Sequence, residues 1–255
     1  MYYDINVILI FILGLAVGSF SNVCIYRIPR NESIIFPASH CTKCRSPIKP
    51  VDNIPLLSYI LLKGKCRNCK SKISIQYPIV EFLTGFIYLI IYLIYCLSIQ
   101  TLIYIILSSA LIIITFIDLK EQIIPDIISL PGIVIGLILS FFVPYISWID
   151  SALGIIVGGG IILIIGLTGS LIFKKEAMGG GDIKLAAMIG AFLGWRAIII
   201  SLFLGFFLGA LAGIFLILSK IKKREDTVPF GPFIVLGSFI TLLWGEKIIS
   251  WYIGF

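Results

Sequence analysis

The sequence predicts an all-α polytopic membrane protein of about eight transmembrane helices, with a cytoplasmic zinc-ribbon-like loop after the first helix. Three observations predict it. Of 255 residues, 59% are hydrophobic and 13% charged, with a mean hydropathy of +1.10. A soluble domain of this length has too much surface for its volume to hide so much apolar area, so lipid must stand in for a protein core. Apolar runs near the roughly 20 residues needed to cross a bilayer recur at 5–26, 79–99, 101–117, 127–149, 152–173, 197–219 and 232–254, with a shorter run at 183–194. One polar loop, 26–77, holds ten of the twenty Lys and Arg residues and four cysteines.

The first run reads as a retained span rather than a cleavable signal. Residues 1–6 carry no Lys or Arg, and no small-residue cleavage site follows. The positive charges come after it: Arg27, Arg30, Lys43, Arg45, Lys49, Lys63, Lys65, Arg67, Lys70 and Lys72. Positive-inside bias places that loop in the cytoplasm and the N-terminus outside. Counting spans onward, loops 118–126, 174–182 and 220–227 are also cytoplasmic. They carry Lys120, Lys174, Lys175, Lys220, Lys222, Lys223 and Arg224, while Arg196 and Lys247 fall toward the other face. The count closes only if 183–194, which opens with Lys184 beside it, crosses as a short helix. Membrane orientation explains the net charge of +7 without nucleic acid as a partner.

Two parts are expected: 1–77, one span plus the cysteine loop, and 78–255, a helical membrane bundle. Pro78 suits the first turn of the second span. Gly154, Gly158, Gly159, Gly160, Gly205, Gly209 and Gly213 put small residues where membrane helices pack closely.

The loop reads C-T-K-C at 41–44 and C-R-N-C at 66–69. Two such knuckles, about 20 residues apart, match a four-thiolate structural zinc site built from Cys41, Cys44, Cys66 and Cys69. Neighbouring Lys and Arg favour thiolates, and a reducing cytoplasm disfavours disulfides. Free or redox thiols are the alternative. His40, the only histidine, adjoins Cys41, but four sulfurs already complete the shell. Cys24 and Cys96 fall in spans and read as small hydrophobes.

Ionisable residues in or beside spans are costly, which makes them functional candidates. The third span ends F-I-D-L-K-E-Q-I-I-P-D, placing Asp118 at its cytoplasmic end and Asp126 after Pro125. The segment M-G-G-G-D-I-K-L places Asp182 after three glycines, with Lys184 next to it. Topology puts Asp118 and Asp182 at one depth. Two carboxylates held close cannot both ionise cheaply and share a proton, which suits peptide hydrolysis by the aspartyl route. Gly179 and Gly181 are expected to let a substrate backbone approach and to supply unusual φ values. The plainer readings are a helix cap for Asp182, and pairing with Lys120 or simple solvation for Asp118. Asp126, Glu121 and Glu81 are weaker candidates, and Glu81, one turn inside a span, marks a second polar position.

These blocks resemble the prepilin peptidase family, also known as type IV leader peptidases, within the GxGD group of membrane aspartyl proteases. The resemblance runs through nearly the whole chain. It includes G-S-F-S-N-V at 18–23, R-I-P at 27–29, the two knuckles, D-N-I-P-L-L-S-Y at 52–59, L-K-G-K-C-R-N-C at 62–69 and Y-P-I-V-E at 77–81. It continues with D-L-K-E-Q-I-I-P-D at 118–126, G-G-G-D-I-K-L at 179–185 and P-F-G-P-F at 229–233. The resemblance implies a bacterial cytoplasmic membrane protein with Asp118 and Asp182 as its catalytic pair and Asp126 outside that pair. The substrates it implies are type IV prepilin or pseudopilin precursors, cleaved after the glycine that ends a short basic leader. Many family members then methylate the new amino terminus, usually phenylalanine, with S-adenosylmethionine, and the cysteine loop accompanies the methylating members. Asn22, Arg27, Asp52, Asn53 and Glu81 are the residues expected in the methyl-transfer region.

Two other classes compete. A transporter would use the intramembrane acids as an ion path, motivated by the Gly-rich break near 179–194, but no inverted repeat accompanies it. A non-catalytic scaffold would bind pilin-like helices without turnover. A peptidase lacking methyl transfer is the nearer alternative.

Overall fold

In a computed structural model, residues 2–143, 145–174, 178–220 and 228–253 are described; Lys175, Lys222, Lys223 and Arg224 lie outside them. The described residues contain α-helices, short turns and two isolated β-bridges, with no strand among them. The helices are α1 (Tyr2–Arg27), α2 (Leu57–Leu61), α3 (Gln76–Tyr95), α4 (Ile99–Glu121), α5 (Asp126–Leu139), α6 (Trp148–Phe173), α7 (Gly180–Leu218) and α8 (Gly231–Ile253). The chain forms two compact units, Met1–Ile113 and Ile114–Phe255.

Five described helices are long and apolar enough to cross a membrane: Ile5–Arg30, Gln76–Tyr95, Ile99–Glu121, Trp148–Ile172 and Gly180–Leu218. Asp126–Leu139 and Gly231–Gly245 are apolar but shorter. Large side chains stand outward along them, such as Leu171 at 80% and Phe203 at 69% exposure, the pattern of helices solvated by lipid.

The run 127–149, expected as one full span, is corrected to a 14-residue helix, a turn and the start of the next helix. The reason lies in the turn residues. α5 ends at Ser140, and Ser147 caps α6 by accepting the Asp150 amide at 3.0 Å. At the 1.5 Å rise of a helix, 14 residues reach only about 21 Å. The short run 183–194 and the run 197–219 form one element, α7, broken at Gly194. There φ is 83° and ψ is 170°, which suits glycine. Across this break the indole of Trp195 donates to Asp150 at 3.0 Å, tying the kink to the start of α6. Cys96, expected inside a span, instead closes α3 and is exposed.

Within the second unit α7 packs on α5, α6 and α8. The expectation of close packing at glycines holds at specific contacts. A Cβ at Gly154 or at Gly190 would run into the other residue's carbonyl, and one at Gly158 would meet the carbonyl of Ala186 at 2.5 Å. Ser151 donates to the Ala191 carbonyl at 2.7 Å alongside. Gly160 and Gly213 have nothing within 4 Å and play no such part. The first half of α7, which carries Asp182, is therefore clamped backbone to backbone on α6.

Within the first unit α1 packs on α3. A Cβ at Gly14 would stand 2.6 Å from Gly85 Cα, and one at Gly18 would stand 2.7 Å from Glu81 Cα. Tyr88 and Ser109 share a hydrogen bond of 2.6 Å, tying α3 to α4.

Candidate active site and metal centre

Asp118 sits in the last turn of α4 and is 4% exposed. Burial excludes the reading of a solvated helix end. Its Oδ2 has no hydrogen-bond partner among the described residues. The first residue of α8 faces it: the Gly231 amide bears on the carboxylate, and a Cβ at Gly231 would stand 2.5 Å from Oδ2. A buried, unpartnered carboxylate oxygen is rare in a folded chain and asks for an explanation.

Asp182 lies in the first turn of α7, with Gly179 as N-cap. Its amide donates to the Gly179 carbonyl at 3.1 Å, and its side chain reaches back to the Gly179 backbone. That is the returning arm of a capping box, so the capping geometry is real. Even so, Asp182 feels the charge of Asp118. Ile124 occupies the ground between the two motifs. Its Cβ is 2.9 Å from a Cβ built at Gly181, and its Cδ1 is 3.5 Å from one built at Gly231. Residues 118, 124, 181 and 231 thus converge, and Asp182 is next to 181 in the chain.

The glycine expectation needs a correction. Gly179 has φ −74° and ψ 146°, ordinary extended backbone, and among the described glycines only Gly64 and Gly194 have positive φ. Gly181 is required for space against Ile124, not for conformation. Lys184 and Asp126 meet as a bidentate ion pair at 2.6 and 2.8 Å, joining the start of α5 to α7. The pair is partly exposed, with side chains 37% and 56% accessible. Pro125 is the N-cap of α5, and its carbonyl accepts from Ile128, Ser129 and the Ser129 hydroxyl. Gly231 and Ile124 are site residues that sequence reasoning left without a role, although both stand inside quoted motifs.

The cysteines converge as expected. The four sulfurs all lie within 4.8 Å of one another, with Cys41 and Cys69 at 3.8 Å and Cys44 and Cys66 at 4.0 Å. Four sulfurs about 2.3 Å from a central zinc ion are about 3.8 Å apart, so the set fits that ion. The two knuckles fold alike. Arg45 donates to the Cys41 carbonyl at 2.9 Å, and Lys70 donates to the Cys66 carbonyl at 3.1 Å. Ser46 and Ser71 hydroxyls sit 3.1 Å from Cys44 and Cys69 Sγ respectively. Backbone donors of the first knuckle, the Cys44 amide foremost, hold the Cys41 thiol down to about 6, and the Ser71 hydroxyl lowers that of Cys69, whereas Cys66, although the Cys69 amide acts to lower it, is raised by desolvation and by its contacts with Cys41 and Cys69. Thiolates are the form a metal needs. His40 turns to the Ala38 carbonyl at 3.1 Å and is outside the cluster.

A cavity of about 350 Å³ opens beside this loop, lined among others by Tyr26, Arg27, Asp52, Asn53, Tyr77 and Glu81. Four of the five residues expected in the methyl-transfer region therefore share one cavity. The fifth, Asn22, lies 3% exposed at the α1–α3 contact, donating to the Tyr77 carbonyl at 3.1 Å. Arg27 is 5% exposed and donates to the carbonyls of Ser33 and Pro37 at 2.8 and 2.7 Å. Asp52 accepts from Arg67 Nε and Nη2 at 2.7 and 2.6 Å, which holds its carboxyl below the usual range. Glu81 is 7% exposed and accepts the Leu56 amide at 2.8 Å.

The chain matches the model of the bacterial peptidase A24 N-terminal domain over residues 12–95 and that of the type IV leader peptidase family over residues 105–214. It is 35% identical over 270 residues to a prepilin leader peptidase/N-methyltransferase of Aeromonas salmonicida, covering 96% of this chain and 93% of the relative. It is 34% identical over 261 residues to that of Pseudomonas putida, covering 94% and 91%. It is 36% identical over 270 residues to that of Legionella pneumophila, covering 96% and 93%. No solved structure matches.

Proposed function

The chain belongs to the type IV leader peptidase family, and from that premise we propose that it cleaves the leader from prepilin-like precursors and methylates the new amino terminus. Asp118 and Asp182 carry the cleavage. The observation behind this is that Gly231 closes on a buried Asp118 oxygen without a hydrogen-bond partner among the described residues, while Ile124 touches both Gly231 and the Gly181 that precedes Asp182. The two carboxylates share one proton and titrate as a unit. The ionised member takes a proton from the attacking water. The protonated member donates to the scissile carbonyl oxygen as it gains charge. Lys184 neutralises Asp126 and keeps it out of the pair. A pilin precursor is an apolar helix with a basic leader, so its scissile bond lies where a cytoplasmic-side pair would meet it, and the acidic site attracts the leader. The setting is the bacterial cytoplasmic membrane, with the cysteine loop and both aspartates on the cytoplasmic side and the N-terminus outside.

Zinc held by Cys41, Cys44, Cys66 and Cys69 shapes the loop that walls the cavity. The cavity volume lies within the range of small-molecule sites; its tyrosines, the Asn53 amide and two carboxylates, alongside Arg27, Lys49, Arg67 and Lys72, offer the polar and aromatic contacts a nucleoside such as S-adenosylmethionine would use, which supplies an electrophilic methyl group when bound. Tyr26, Asn53 and Tyr77 line the part of the cavity that we assign to it. Residues 1–77 together with the start of α3 then serve methyl transfer, and the remaining bundle serves cleavage.

Incubation of the purified protein with a leader-bearing precursor, read by intact mass, tests both steps. Loss of the leader and a gain of one methyl are expected. Asp118→Asn and Asp182→Asn each abolish cleavage while helical content and zinc are retained; normal processing by either variant rules the assignment out.

A further inference from the structure

Glu81 is set apart from the other polar residues of its cavity because its charge meets no opposite charge. Arg27 is committed to two backbone carbonyls, and Arg67 is closed on Asp52; Lys49 and Lys72 also line the cavity but form no ion pair with Glu81. Glu81 receives only neutral donors, the Leu56 amide and the Ser19 hydroxyl, and no ion pair reaches it among the described residues. A buried carboxylate without an ion pair is unfavourable, and a cation arriving as ligand would relieve that cost. A second observation points the same way. Leu56, which presents its amide to Glu81, has φ 60° and ψ −49°, a conformation that a non-glycine residue rarely adopts. Gly18 lets α1 press directly on the Glu81 backbone, so the side chain is held from behind as well. Tyr77 shares the cavity with it, and an aromatic ring beside a carboxylate suits an organic cation; the Tyr26 ring, on the same cavity wall, already carries the Arg30 guanidinium at 4.4 Å.

We propose that Glu81 binds the α-ammonium group of the cleaved peptide and takes its proton, generating the neutral amine that methyl transfer requires. This rests on reading the cavity as the methyl-transfer site. A free α-amino group titrates near 7.7–8.0, so at cytoplasmic pH most of it has no lone pair to offer. Transfer of one proton to the carboxylate leaves a neutral amine and a neutral carboxylic acid. The amine nitrogen then forms a bond to the methyl carbon as the carbon–sulfur bond of the sulfonium donor breaks. The positive charge passes to nitrogen, the donor leaves as a neutral thioether, and Glu81 returns its proton to solvent.

The test uses the full-length protein, S-adenosylmethionine and a synthetic peptide with a free amino-terminal phenylalanine, so that methylation is read by intact mass without prior cleavage. Glu81→Gln is expected to lose at least tenfold in methylation rate at pH 6.5. The loss shrinks about tenfold per pH unit toward pH 8, as solvent supplies the free amine. Glu81→Asp keeps a carboxylate and the wild-type pH profile at a lower rate. In the absence of methyl donor, the wild-type protein binds the free-amino peptide at least tenfold tighter than its N-acetylated counterpart, and Glu81→Gln abolishes that preference. Equal rates for wild type and Glu81→Gln at pH 6.5, or a loss that higher pH does not repair, overturns the role of Glu81 and leaves the cavity assignment standing. Failure of the wild type itself to methylate overturns both. If Glu81→Gln does not retain zinc and helix, the Glu81→Asp profile decides: a wild-type profile supports the role and a steep one overturns it.

Discussion

Replacing Gly231 with alanine tests the active-site geometry with a single uncharged methyl group. A Cβ there would stand 2.5 Å from Asp118 Oδ2 and 3.3 Å from its Cγ, whereas ordinary contact begins at 3.4 Å. The carboxylate or the start of α8 must therefore give by about 0.9 Å. Neither has free room. Asp118 is 4% exposed, and Gly231 opens a helix whose next residue is Pro232 and which packs on α7. A misplacement of about 1 Å in a catalytic group costs on the order of 100-fold in rate, equivalent to about 2.7 kcal/mol of barrier. The assay is the initial rate of leader loss from a prepilin precursor, with kcat and KM separated. The fall is expected in kcat, since the methyl group lies against the carboxylate proposed to react and not along a bound peptide. Thermal loss of helix in detergent serves as the control for folding. A folded Gly231→Ala protein that cleaves within threefold of wild type refutes the reasoning, because the carboxylate would then not be doing chemistry where the geometry puts it.

Other outcomes follow from the same structure. Cys41→Ser or Cys66→Ser should release the metal, measured as less than half the wild-type zinc per chain by elemental analysis; freshly purified wild-type protein without zinc counts against a metal centre. Gly190→Ala should cost about 1–3 kcal/mol or more of stability through overpacking, read as a lowered midpoint of denaturation in detergent, because the Gly154 carbonyl occupies the space. Gly160→Ala is the matched control: with nothing within 4 Å it should leave stability equal or raise it by up to about 1 kcal/mol through helix propensity.

Several features were legible in the chain because they depend on residues close in sequence. The two C-x-x-C knuckles bring each pair of sulfurs together over a few residues, so spacing alone implied the cluster found at 3.8 and 4.0 Å. The lengths of α1, α3, α4 and α6 followed from apolar runs, because a span must cover its backbone polar groups internally. The run 127–149 divides in the structure for the opposite reason. Its division depends on Ser147 capping α6 and on α5 ending at Ser140, and hydropathy averages over both. Asp118 and Asp182 stood out as acids in apolar surroundings, but their burial and partners did not.

The sequence by itself determined that this chain lives in lipid, carries a four-cysteine cluster and presents two acidic motifs among its helices. Only the tertiary structure decided which groups those motifs meet: Gly231 against Asp118, Ile124 against Gly181, and Glu81 left without a cation while Arg27 and Arg67 are taken by other partners. Hydropathy and ligand spacing are sums over neighbours along the chain. A carboxylate's solvation is set by whatever packs around it, and here that includes a glycine more than a hundred residues away.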